Sequence, residues 1–470
     1  MLRYLDPAEH YFWLLDQVSS MNFAVMAEFD QPQNINSLQD SLDYLQQKQT
    51  IFRLAINNDD QDKLLLQTHP YSIQVEQFTT NDSWQPVIGK ALAQRFSFKQ
   101  PLIRALYIQQ QDSQQARQTS CVALLFNHAI ADGRSGTELL RQWLDILADK
   151  KPAYLEISDH TQGNSKQIAL AALHKKLPSE LNIIGQDEEI ARRLEQKKTE
   201  IRRYGRPQQL PRLKPIVLSG ETTKKDAVET KAEVRQHSFK TEISSPHILS
   251  FELTPELSTR LKETCQKHQV RIHSALTAAQ LMAIYQHELN QNNNPDTGND
   301  NPQDVTLCLT SPVDMRRYFD NEQPALGMHT TLLSSVYRLT PESDFWSLAQ
   351  QADEELHQQL QRDDAAFFYQ FIRPELIPFT DEVMTEFNTA TLRTAPQTLI
   401  SNLGVVAPSA NSDVQRISFA LCPMPFQPLF TAVTHYKGKL HLNITYDSVR
   451  LDDQSAQQVA EGILQQLIQL

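Results

Sequence analysis

Cys121-Val122-Ala123-Leu124-Leu125-Phe126-Asn127-His128-Ala129-Ile130-Ala131-Asp132-Gly133 is followed directly by Arg134-Ser135-Gly136-Thr137-Glu138. Its first six residues are continuously apolar, the pattern of a strand covered on both faces. Ser135 to Glu138 fits an S-x-x-E capping box, and Leu139, Leu140, Trp143, Leu144 and Leu147 continue it with helical spacing. Asn127 to Gly133 is thus expected to be a short loop between a buried strand and a helix, where a rigid scaffold presents side chains. An imidazole at His128 can take a proton near neutral pH. Asp132 followed by Gly133 suits a turn, with glycine permitting a tight backbone. On the five-residue spacing alone, a hydrogen-bonded core histidine and an ordinary Asp-Gly turn account for the same residues.

Outward from this loop, the first 150 residues mix both periodicities. Asn36 to Tyr44 opens a helix with Leu38, Leu42 and Leu45 on one face, and Leu64-Leu65-Leu66 and Ile103 to Ile108 read as strands. Residues 151–245 are polar and rich in Lys, Gln and Glu, and read as a linker or crossover segment. Within them, Arg192 to Arg206 carries seven basic residues, a solvated helix face or a landing site for phosphates or an acidic carrier. Order resumes at His247. Ile248 to Leu253 reads as a strand, Thr254-Pro255 as an N-cap with proline at the first helical position, and Ser274 to Leu289 as a further helix. Val305 to Leu309, Leu399 to Ile400 and Leu440 to Tyr446 are additional strands. Asn290 to Gln303 is a loop.

The bulk properties narrow the function. A chain of 470 residues exceeds what one hydrophobic core supports. Its net charge of −12 argues against broad nucleic-acid binding. No apolar run is long enough to span a membrane and the N-terminus lacks a secretory layout, so a cytoplasmic location is expected. The 4 cysteines form no CxxC pair and read as reduced thiols. With only 12 glycines there is no GxGxxG, no phosphate-binding GxxxxGK[ST] and no GxSxG, and HExxH is absent too. No set of His, Cys, Asp or Glu shows metal-ligand spacing.

Asn127-His128-Ala129-Ile130-Ala131-Asp132-Gly133 resembles the HHxxxDG motif of the condensation-domain and chloramphenicol acetyltransferase superfamily of acyltransferases. The likeness extends along the chain. Arg3 to Glu9 is similar to the R-x-L-x-x-x-E opening of that superfamily. Leu42 to Arg53 resembles the helix and HPxLR segment that follow. Ile248 to Leu289 looks like the start of the C-terminal lobe. Pro312 to Arg317 is similar to its arginine-bearing strand end, and Ser401-Asn402-Leu403-Gly404 to the SNLG of alcohol acetyltransferases and of stand-alone phthiocerol dimycocerosyl transferase-like members. Two departures stand out. Asn127 replaces the first histidine of HHxxxDG, and the DFGWG of plant acyltransferases has no counterpart.

The resemblance implies an α/β protein of two similar lobes, each a mixed sheet flanked by helices, with a channel between them. Residues 1–150 would form the N-terminal lobe, 151–245 the crossover segment and 246–470 the C-terminal lobe. It also implies transfer of an acyl group from acyl-CoA or an acyl carrier protein to a small alcohol or amine, in secondary metabolism or lipid biosynthesis, with no permanently bound cofactor. His128 would be the general base. Asp132 would be structural, paired with an arginine of the other lobe (Arg316, or next to it Arg317), with Gly133 completing the motif. Asn127, Arg316, Ser401 and Asn402 would lie at the substrate, with His329 and His435 as further polar candidates. The rival expectation is a catalytically silent relative that binds an acyl carrier or small molecule as a scaffold. A thioesterase-like hydrolase is a third.

Overall fold

The computed structural model describes residues 3–68, 70, 72–112, 117–148, 243–291, 303–316, 326–365, 378–392, 394 and 397–470. The Cys121–Phe126 run lies at the centre of a five-stranded sheet. This sheet is built from β2 (Asn22–Phe29), β5 (Val75–Thr80), β6 (Ile103–Asp112), β7 (Arg117–Asn127) and β12 (Val414–Leu421), in the order β12-β2-β7-β6-β5. Its apolar continuity has the expected cause. Val122, Leu124 and Phe126 enter the central core, whereas Cys121, Ala123 and Leu125 face a second cluster with Trp84, Ile88 and Leu92. Beside the sheet, β1 (Arg3–Tyr4), β3 (Leu54–Asn58) and β4 (Leu64–Thr68) form a small three-stranded sheet. The helices of this lobe are α1 (Pro7–Val18), α2 (Ile35–Lys48), α3 (Gln85–Ala93) and α4 (Gly133–Leu147). Trp143 ties α4 to α2, its indole N–H lying 2.9 Å from the Ser41 hydroxyl and 3.1 Å from the Leu38 carbonyl oxygen.

The second lobe carries a six-stranded mixed sheet ordered β10-β9-β11-β13-β14-β8. Its strands are β8 (Pro246–Leu253), β9 (Val305–Asp314), β10 (Thr330–Leu339), β11 (Thr398–Val405), β13 (Leu429–Tyr436) and β14 (Lys439–Asp447). The helices Pro255–Lys267, Ile272–Gln291, Phe345–Gln361 and Asp453–Ile468 contribute to its core. Thr254 caps the first of these, with Pro255 opening it. Two mixed sheets flanked by helices is the architecture expected from the sequence.

Several expectations need correction or placement. The division at residue 246 is not a division in space, because β12 leaves the second lobe and pairs antiparallel with β2 of the first, from Val414 opposite Phe29 to Leu421 opposite Phe23. Helix α4 begins two residues before Ser135, and its N-cap is Asp132, whose side chain accepts the Ser135 N–H at 2.8 Å. Asn290 and Gln291 close a helix rather than opening a loop. The basic run from Arg192 to Arg206, Arg317 and all of 151–245 before Ile243 lie outside the described residues.

Candidate active site

Strand β7 ends at Asn127, and the next residues turn sharply into α4. The His128 N–H donates to the Met21 carbonyl oxygen at 3.1 Å, and Ile130 N–H to that of Asn127 at 3.2 Å. The His128 ring lies against two phenylalanines, Phe12 of α1 (centroids 4.6 Å apart) and Phe23 of β2 (4.9 Å). Phe23 in turn stacks on Phe126, with ring planes 15° apart. Glycine at 136 makes this stack possible, since a Cβ there would sit 2.8 Å from Phe23. The Nδ1 of His128 is buried, and the ring lines the cavity, so Nε2 is the nitrogen left to face it. Burial pushes the imidazole pKa below its ordinary 6.5, against the opposing pull of the His128 carbonyl, Asp132 and the Ala131 carbonyl. A neutral imidazole is the form that accepts a proton.

Asp132 points away from the cavity. Its carboxylate accepts two hydrogen bonds from Arg316, Nη1 to Oδ2 at 2.8 Å and Nη2 to Oδ1 at 3.0 Å. It also accepts the backbone N–H groups of Ser135 at 2.8 Å and His329 at 3.0 Å. Burial alone would raise this carboxyl, but the Arg316 guanidinium and the other donors outweigh it and hold it well below the usual carboxylate range. Arg316 follows β9 of the other lobe, so the pair spans the two lobes, as the sequence reading expected. Asp314, at 3.0 Å from Nη1, and the Ser135 hydroxyl, at 2.7 Å from Nη2, occupy more of its donors. Arg316 borders the cavity, but its guanidinium is committed to protein partners. Ser135 was read as a cap. Its hydroxyl instead donates to the Gly327 carbonyl oxygen at 2.8 Å, tying the loop at Gly327 to α4.

The cavity between the lobes has a volume of about 460 Å³, within the range of small-molecule sites. His128 and Gly133 line it from the first lobe, and Ser401, Asn402 and Leu403 of β11 from the second. Gly133 matters for a reason other than a turn. It opens α4, and a Cβ there would meet the Leu403 side chain at 3.1 Å. Gly404 does supply a left-handed residue, with φ of 70°, and its N–H donates to Asn402 Oδ1 at 2.9 Å. The Ser401–Gly404 segment is thus both a strand ending and cavity wall.

Other expected contacts are not made. Asn127 does not line the cavity: it is fully buried, its Oδ1 accepting the Ala129 N–H at 3.0 Å and its amide lying beside the Asp16 carboxyl. His329 is buried and reaches Asp132 through its backbone, and neither it nor His435 lines the cavity. Conversely, Phe12, Phe23, Gln397 and Gln427 were not foreseen as site residues, and no local pattern marks them.

Comparison with known proteins shows where this fold recurs. Residues 244–414 match the family described as phthiocerol/phthiodiolone dimycocerosyl transferase C-terminus. No curated protein sequence matches the chain. Among solved structures, the trichothecene 15-O-acetyltransferase TRI3 of Fusarium sporotrichioides is 11% identical and superposes with a TM-score of 0.67, covering 99% of this chain and 94% of its own. The first condensation domain of the CDA synthetase is 13% identical, with a TM-score of 0.62 and coverage of 99% and 95%. The protein has the condensation-domain and chloramphenicol acetyltransferase-like fold. Polyketide synthase associated protein 5 of Mycobacterium tuberculosis shares this condensation-domain-like fold at 13% identity, with a TM-score of 0.58 and coverage of 99% and 97%. Among the described residues, no helix is long and apolar enough to cross a membrane, and no group of three or more His, Cys, Asp or Glu is placed to hold a metal ion. All four cysteines are buried and outside any disulfide.

Proposed function

We propose that this protein transfers an acyl group from a CoA or carrier-protein thioester to the hydroxyl or amine of a small acceptor, with His128 as general base. The observation that carries the reading is the His128 imidazole, held between Phe12 and Phe23 with one nitrogen facing the inter-lobe cavity. Nε2 accepts the acceptor's proton as its oxygen or nitrogen attacks the thioester carbonyl carbon. The tetrahedral intermediate collapses, the carbon–sulfur bond breaks, and the departing thiolate takes the proton back from the imidazolium. No covalent bond to the enzyme and no resident cofactor enter these steps.

Asp132 acts as a positioning residue. Four donors fill its carboxylate, so it fixes the loop rather than touching substrate. The Ser401 hydroxyl and the Asn402 side-chain NH2 are donors on the wall, suited to the oxyanion of the intermediate. The test is incubation of purified protein with acetyl-CoA and longer acyl-CoAs against a panel of alcohols and amines, following thiol release and product mass. His128→Ala is expected to lower turnover by about a hundredfold or more at unchanged melting temperature, the usual scale of general-base help. Full activity in that variant would overturn the assignment.

A further inference from the structure

Gln427 lies in the turn between β12 and β13, its backbone N–H donating to the Met424 carbonyl oxygen at 2.8 Å. The residue is 5% exposed and lines the cavity. Among the described residues, its side-chain amide has no hydrogen-bond partner. A carboxamide offers two donors and an acceptor oxygen, and these face the cavity, where a molecule that enters can meet them. Two other residues lining the cavity also offer uncommitted polar groups. Thr391, at the end of the helix Asp381–Leu392, is 8% exposed and its hydroxyl is likewise without a partner among the described residues. Gln397 spends its amide oxygen on the Thr310 hydroxyl, which leaves its NH2 uncommitted. The Gln397 backbone N–H donates to the Phe426 carbonyl oxygen at 2.9 Å, fixing it beside the Gln427 turn.

The wall chemistry restricts what these groups recognise. Among the described residues, the ionic side chains on it are Arg134, Asp314 and Arg316, and they pair with one another, at 3.3 Å for Arg134–Asp314 and 3.0 Å for Arg316–Asp314. The groups next to Gln427 in the chain are apolar, Met424 and Phe426, and Phe430 adds a third such surface. Among the described residues, the charged groups of the wall are paired with one another, which suits a neutral ligand.

We infer that Gln427, with Gln397 and Thr391, selects a neutral acceptor that has an apolar face and carries, besides the reacting hydroxyl, a second oxygen function. This rests on the acyl-transfer reading above. The test uses acetyl-CoA as donor and paired ring alcohols of about ten to fifteen carbons, a size such a cavity holds. One member of each pair has a single hydroxyl, the other an added ketone or hydroxyl. Wild type is expected to favour the doubly oxygenated member by about tenfold or more in kcat/KM. Gln427→Leu should cut that preference at least about fivefold, through a larger loss of kcat/KM on the doubly oxygenated member than on the mono-alcohol, and Thr391→Val should weaken it at an unaltered melting temperature. A raised acetyl-CoA KM in Gln427→Leu would overturn the inference by showing that the amide serves the donor arm. Equal loss on both alcohols, or no preference in wild type, would also overturn it while leaving acyl transfer intact. Calorimetric titration of the same alcohols into wild type and Gln427→Leu separates the two readings. Discrimination in binding without transfer to any acceptor would sink the transfer reading and keep the oxygen-reading role of Gln427.

Discussion

His128 and Asp132 are four residues apart and are pushed in opposite electrostatic directions. The imidazole is held below its ordinary pKa of 6.5 by burial, so its proton-accepting form persists as the medium turns mildly acidic. The kcat/KM of acyl transfer is therefore expected to be flat from pH 8 down through about 6.5 and to fall only below it. A profile that already bends above that value would contradict a desolvated base. Asp132 behaves differently. In the unfolded chain its carboxyl titrates near 3.8, whereas in the fold Arg316 and the backbone donors keep it ionised well below that. Between those two values the unfolded state takes up a proton and the native state does not. The contribution to stability is thus complete above the unfolded value and is lost as pH falls towards the folded one. Asp132→Asn strands Arg316 and is expected to cost roughly 3–5 kcal/mol at neutral pH, with the difference from wild type starting to narrow once the pH falls below 3.8. Chemical denaturation of both proteins at pH 7 and at pH 3 measures this. An unchanged midpoint at pH 7 would mean that the pair carries no net stability.

At the scale of elements, α4 holds the site through what it omits as much as through what it presents. Gly133 leaves room for Leu403 of the other lobe, and Gly136 for the Phe23 ring that backs His128. Helix propensity alone favours alanine over an interior glycine by about 1 kcal/mol. At Gly136, however, a Cβ would lie 2.8 Å from Phe23 and 3.2 Å from Phe126, both fully buried. Displacing that stack is expected to cost about 1–3 kcal/mol, more than the propensity gain. Gly136→Ala should lower the melting temperature and reduce kcat, because Phe23 carries its shift to the imidazole. A stabilised variant with normal turnover would show that the stack accommodates the methyl group freely.

The whole molecule is two lobes stitched by exchange. Strand β12 hydrogen-bonds to β2, yet the Thr434 hydroxyl donates to the Ile417 carbonyl oxygen at 2.8 Å, and Asn443 Nδ2 to that of Phe419 at 2.9 Å. Gly89 of α3 packs so closely on Pro246 of the second lobe that a Cβ would lie 2.4 Å from its carbonyl oxygen. The Asp132–Arg316 pair is a third stitch. A fragment ending at residue 242 would expose the edge of β2 and the apolar residues that β12 covers. Such a fragment is expected to aggregate when produced alone and to be recovered soluble when co-expressed with residues 243–470. A monomeric fragment with a cooperative melt would refute the dependence.

The sequence by itself determined whatever depends on neighbours along the chain. The unbroken apolar run of β7 announced a strand covered on both faces, Thr254-Pro255 announced a helix start, and the spacing from His128 to Asp132 placed both in one loop. The order of motifs also carried the two-lobed fold and the choice of Arg316, although that pair is separated by 184 positions in the chain. Local signals failed where partners are remote. Ser135 has the composition of a cap, but Asp132 lies three residues before it and takes the role, which frees the Ser135 hydroxyl for Gly327. The apolar content of Val414–Leu421 would suit either sheet, and only the docking of the lobes put it beside β2. Asn127 follows the strand and precedes the histidine, yet the turn buries it against Asp16. Gln427 looks like any glutamine after a proline and a phenylalanine, because its place on the cavity wall is set by tertiary packing and leaves no trace in the order of residues.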